Sequence, residues 1–62
     1  MNSREVIKAL EAAGFNKVGQ KGSHVQLKKP GRTGRVTVPH PKRDLPIGTI
    51  QSIERQSGIK LR

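Results

Sequence analysis

The chain has 62 residues, no cysteine, one aromatic residue (Phe15), and thirteen Lys and Arg against four acids, a formal charge of +9. One domain, 1–62, is all this length allows. The composition excludes disulfides and thiolate metal sites and base-stacking on aromatic platforms. No apolar run has the length of a membrane helix or a signal peptide, which fits a cytoplasmic protein with no membrane partner.

Asn2 can cap a first helix, and Glu5, three residues on, completes a capping box. Val6, Ile7, Leu10 and Ala13 recur at helical spacing as one apolar stripe. Arg4, Lys8, Glu11 and Ala12 face away from it. Gly14 ends the helix in the left-handed conformation, and Phe15 can fold back on Leu10. Residues 15–21 read as a first strand, with Gly19 marking a bulge or a close approach. Gly22 turns the chain into a second strand, 23–28. There Ser23, Val25 and Leu27 alternate inward, and His24, Gln26 and Lys28 outward.

Lys29–Gly34 is a hairpin loop, because Pro30 cannot donate to a sheet and Gly31 and Gly34 supply unusual backbone angles. A third strand, 35–38, points Val36 and Val38 inward and stops at Pro39 and Pro41. Asp44 is the expected cap of a second helix, with Pro46 in its first turn. Ile47, Ile50 and Ile53 make its apolar stripe. Gly58 ends it, and Ile59 can fold back on Ile53. The fold class is α+β in the order α-β-β-β-α: one three-stranded antiparallel sheet with both helices on one face. The other face stays open and carries His24, Gln26 and Lys28.

Residues 17–43 contain no acid and hold eight of the thirteen cations. A solvated surface that opposes aggregation is the bland explanation. Attraction to a polyanion accounts better for so high a charge. Nucleic acid outranks membrane, because the cations lie along turns and strands rather than on one face of an amphipathic helix. RNA carries its own nucleophile, the 2′-OH. A histidine with the ordinary pKa of about 6.5 is suited to remove its proton. Lysines can stabilise the charge that develops on the phosphoryl oxygens. Lys28 is the first candidate for that task and Lys21 the second. Gly22, lacking a Cβ, lets a phosphate approach the backbone. Two histidines and four scattered acids make no metal-ligand cluster, so neither a metal nor another cofactor is expected.

Three pieces together carry a family resemblance: Lys21-Gly22-Ser23-His24 after a short amphipathic helix, Val36-Thr37-Val38-Pro39 with His40, and Gly48-Thr49-Ile50 running through Ile53 to Gly58-Ile59. In this order and at this length they resemble HicA, the toxin of bacterial HicA–HicB toxin–antitoxin modules, over about residues 3–60. The resemblance implies a fold like the double-stranded RNA-binding domain. It implies ribosome-independent mRNA cleavage, an mRNA interferase activity, and inhibition by a HicB-type antitoxin that covers the active site. It makes His24 the catalytic residue. Only His24 is carried over from the family; the phosphate-binding set read from the residues themselves is Lys21, Gly22, Gln26, Lys28, Lys29 and Arg35. His40 is either a turn residue packed near the sheet edge or the general acid that protonates the leaving 5′-oxygen. Ser23 reads as a turn residue rather than a nucleophile, with no neighbouring acid to complete a triad. Gly48-Thr49 reads as helix packing, with phosphate contact as the alternative.

Two rival functions share the same fold and charge. A non-catalytic double-stranded RNA-binding module would read A-form shape through phosphates and 2′-hydroxyls and would be indifferent to loss of His24. A DNA-binding or ribosome-associated protein ranks last, because neither helix has a polar base-reading face; DNA is not an expected partner of the chain by itself.

Overall fold

The computed structural model describes residues 1–62 as α1 (Ser3–Ala12), β1 (Asn16–Lys21), β2 (His24–Lys28), β3 (Val36–Pro39) and α2 (Ile47–Ser57). The Asn2 side chain accepts the Glu5 N–H at 2.8 Å and the Glu5 carboxylate accepts the Asn2 N–H at 2.9 Å, so α1 starts with the expected capping box. At its other end Phe15 N–H reaches the Leu10 carbonyl and Gly14 N–H the Glu11 carbonyl, both at 3.0 Å. These two bonds, with Gly14 at φ +100°, form the Schellman stop that satisfies the last carbonyls of the helix.

The sheet is antiparallel throughout, in the order β1-β2-β3, with β2 central. β1 and β2 are joined by Gly22-Ser23 alone. Gly22 has φ +58° and Ser23 does not leave the negative-φ region, the pattern of a type II′ hairpin turn. The register of β1 against β2 slips between Lys17 and Gly19, which is the bulge foreseen near Gly19. It turns Val18 out to solvent, 52% exposed. Between β2 and β3, Arg32 N–H bonds the Lys29 carbonyl at 3.1 Å across Pro30 and Gly31, whose φ is +82°. Pro then Gly with positive φ is the sequence of a type II turn.

Ten side chains form one core: Val6 and Leu10 of α1, Phe15, Val25 and Leu27 of β2, Val36 and Val38 of β3, Leu45, and Ile50 and Ile53 of α2. Both helices pack on the face of the sheet that bears Val25, Leu27, Val36 and Val38.

Four local expectations are corrected. Asp44 does not cap α2. Its carboxylate pairs with the Met1 ammonium at 3.1 Å, and Leu45 N–H holds the Met1 carbonyl alongside at 2.9 Å. Pro46 is the N-cap, without a side-chain bond. Ile47 is 56% exposed. Leu45, in the extended segment before the helix, is buried in its place, and the buried stripe of α2 runs Ile50, Ile53, Ser57. Ser23 is an exposed turn residue rather than an inward strand residue. Pro39, expected to stop β3, is its last residue, which an edge strand tolerates.

The C-terminal segment is tied to α2 through Glu54, which accepts the Leu61 N–H at 2.8 Å and the Arg62 guanidinium at 3.2 Å. The Leu61 bond, opposed by partial burial and assisted by Arg62, holds the Glu54 carboxyl below its ordinary value of 4.5. A carboxyl with a lower pKa in the folded state stabilises the fold above the unfolded value. That contribution is lost as pH falls through the folded one. The melting temperature should therefore decline on acidification below pH 4.5, and Glu54→Gln should flatten that decline. Parallel melting curves for the two proteins over this range would contradict the assignment.

Candidate nucleic-acid interface and active site

Cross-strand register decides what shares the open face of the sheet, because directly paired residues project to the same side. His24 pairs with Lys21 on β1 and with Pro39 on β3. Gln26 pairs with Gly19 and Thr37, and Lys28 with Asn16. The face opposite the helices therefore carries His24, Lys21, Gln26 and Lys28 together. Val25 and Leu27, the alternate residues of β2, are almost completely buried beneath it. A one-residue slip would exchange the two sets, so the hydrophobic core is what holds the imidazole outward.

His24 is exposed, as are Lys21 and Lys28. The II′ turn places Lys21 directly across from His24, with Cβ atoms about 5 Å apart in such pairs. Gln26 is half-buried, and its Oε1 accepts from Arg35 Nη1 at 2.6 Å. That bond steers the Arg35 guanidinium over the open face and leaves the Gln26 amide N–H₂ free to donate. Two histidine-face lysines, one guanidinium and one amide thus line a single exposed surface.

No acid reaches it. Glu5 is in the α1 capping box, Asp44 is on the Met1 ammonium and Glu54 is on Leu61 and Arg62. Glu11 lies on α1. Segregation of the acids to the helix side leaves the sheet face uniformly positive, a field that concentrates polyanions.

Lys29 and His40 are not brought onto this face. Lys29 is half-buried, with its Nζ 5.9 Å from the centre of the Phe15 ring, a cation–π contact on the helix side. His40 follows Pro39 and turns under the sheet end. Its Nδ1 lies 2.7 Å from Ser3 Oγ at the start of α1. Ser3 is 2% exposed, and its Oγ also accepts the Lys42 N–H at 2.9 Å. The residue that orients His40 was missed in the sequence, although Ser3 stands three positions before Val6 on the same helical stripe. Gly48 is exposed and Thr49 half-buried at the first turn of α2. No three His, Cys, Asp or Glu side chains converge anywhere in the chain.

A family model described as the HicA toxin of bacterial toxin–antitoxin matches residues 3–59. Among solved structures, a chain of a HicA3 and HicB3 toxin–antitoxin complex superposes with a TM-score of 0.89 at 39% identity, covering 100% of both chains. No curated protein sequence matches. The match over residues 3–59 takes in the capping helix, the Gly22–His24 turn, the open sheet face and the Gly58 stop. Sequence match and shared architecture agree, and the chain belongs to the HicA toxin family of bacterial toxin–antitoxin modules.

Proposed function

We propose that this protein is an mRNA-cleaving endonuclease that works without a metal, with His24 as general base. The observation that carries this reading is an exposed imidazole directly opposite Lys21 on an acid-free, cation-lined sheet face. An RNA backbone lying on that face brings one phosphodiester beside His24. The neutral imidazole takes the 2′-OH proton, and the 2′-oxygen attacks phosphorus. The O2′–P bond forms as the P–O5′ bond breaks. The departing 5′-oxygen takes a proton from water, which the open face admits, and the imidazolium returns its proton to solvent. The products are a 2′,3′-cyclic phosphate end and a 5′-hydroxyl end. Lys21, Lys28 and Arg35 hold the phosphoryl oxygens as charge develops on them. Gln26 and the backbone at Gly22 add neutral donors.

The partner in the cell, on the same reading, is a HicB-type antitoxin whose acidic surface covers the sheet face. The solved relative is itself a HicA–HicB complex. Both operate in the cytoplasm, where mRNA is. A non-catalytic double-stranded RNA-binding module is the second reading that the open basic face supports.

A substrate containing a single 2′-deoxynucleotide at the cleaved position separates the two. With excess EDTA present, the all-RNA oligonucleotide should be cut. The singly deoxy version should bind with unchanged affinity and remain whole. Cleavage of the deoxy substrate would remove the 2′-OH mechanism. Binding without cleavage of either would favour the non-catalytic module.

A further inference from the structure

On the opposite side of the sheet end from His24 lies a cleft of about 200 Å³ lined by Asn2, Ser3, Arg4, His40, Lys42 and Arg43, without an acid among its walls. Its floor is rigid. Ser3 N–H bonds the Lys42 carbonyl at 2.9 Å, Lys42 N–H bonds Ser3 Oγ at 2.9 Å, and His40 Nδ1 meets the same Oγ at 2.7 Å. The Ser3 hydroxyl has one proton to give, and its Lys42 contact is one that it accepts. Ser3 is buried and its Oγ has no other acceptor in reach, so with a neutral ring its proton goes to His40 Nδ1. The neutral tautomer then carries its proton on Nε2, which has no protein partner. When the ring is protonated, both nitrogens are donors. In either state Nε2 offers an N–H at the cleft.

Arg4 and Arg43 are exposed, and neither makes a hydrogen bond or ion pair through its side chain; the Lys42 ammonium is equally free. The α1 N-terminus itself contributes little. Of its first four N–H groups, those of Ser3, Glu5 and Val6 already bond the Lys42 carbonyl, the Asn2 side chain and the Asn2 carbonyl. What remains is a set of four donor-only side chains around a space large enough for one phosphate. Guanidinium groups suit phosphate oxygens because their paired N–H groups match two oxygens at once.

The cleft and the His24 face share one structural joint. His40 N–H donates to the Ser23 carbonyl at 2.7 Å, across from the Gly22-Ser23 turn, and His24 pairs with Pro39, the residue before His40. One chain step of about 3.8 Å and one cross-strand step of about 5 Å put the two histidine Cα atoms within about 9 Å. The two sites open on opposite faces of this joint, so one strand reaches both only by passing round the sheet end. We propose that this cleft binds a second phosphate of the same RNA strand, a few nucleotides from the bond cut beside His24, as the strand wraps the sheet end. This rests on RNA being the substrate. A continuous polyanion suits two cation-lined sites on opposite sides of one sheet end, because one strand carries a phosphate to each.

Arg4→Gln and Arg43→Gln, singly and combined, test it. Both side chains are exposed and unbonded, so melting temperatures should not change. In a His24→Ala background, which slows cleavage enough to measure binding, the double variant should bind a single-stranded oligoribonucleotide about tenfold more weakly. The slope of log affinity against log salt should shrink by about 0.7 for the lost phosphate. With His24 intact, KM for that oligonucleotide should rise while cleavage of a dinucleotide bearing only the scissile phosphate is unchanged. Unaltered affinity and salt slope overturn the proposal. So does a loss confined to an acidic partner protein, which would make the cleft a protein contact. Weaker RNA binding by the double variant when the enzyme with His24 cuts nothing still supports the second phosphate site, and it is the nuclease reading that fails.

Discussion

His24→Ala is expected to slow RNA cleavage by about 10²–10⁴-fold, the contribution of one general base, and to relieve the growth arrest that follows induction of the toxin. The melting temperature should barely move. The imidazole is exposed and makes no hydrogen bond that the fold uses, and surface substitutions of this kind stay within about 0.5 kcal/mol. The two measurements belong on one preparation, because activity lost together with stability would implicate folding instead. His24→Gln refines the result. It keeps a polar side chain among Lys21, Gln26 and Lys28 but cannot accept the 2′-OH proton at neutral pH, so it should bind RNA and fail to cut it. Cleavage at the wild-type rate by either variant would remove His24 from the chemistry.

Much of this site is legible in the sequence because it is built from local rules. The capping box at Asn2 and Glu5, the Gly14 stop and the alternation of His24, Val25, Gln26, Leu27 and Lys28 each need only a few neighbouring residues. All of them recur in the structure. Residues that choose between partners far apart in the chain are the ones misread. Asp44 looked like a helix cap because nothing nearby competes for it. The competitor is the Met1 ammonium, 43 positions away. Ile47 fits a helical stripe by spacing, but the core position beside it is filled by Leu45, which is not in the helix. His40 could not be placed without Ser3, 37 residues earlier. Lys29 joins the basic window in sequence, yet the Phe15 ring draws it to the helix side. Periodicity assigns a side chain to a face; it does not say which distant group competes for it.

Leu27→Ala should have the largest effect on the fold, although Leu27 lies beneath the open face and is no part of the proposed site. Leu27 is fully buried on the middle strand, paired with Lys17 on one side and Val36 on the other. Truncating such a side chain costs about 2–5 kcal/mol. A single core in a domain under about 70–80 residues supplies only about 3–5 kcal/mol in all. The loss is therefore comparable to the whole stability, and the melting temperature should fall by more than about 8 °C. Lys28→Ala, one residue on and pointing to the open face, should leave it unchanged. Because Leu27 also fixes which residues of β2 face outward, cleavage should disappear with the fold rather than with any catalytic group. A partner that binds only the native state adds stability, about 2.7 kcal/mol at a hundred times its dissociation constant. An antitoxin on the sheet face should thus restore soluble Leu27→Ala protein on co-expression, whereas it cannot restore activity to His24→Ala. A Leu27→Ala protein that melts like wild type would mean that the interior does not hold β2 in register, and the outward placement of His24 would need another cause.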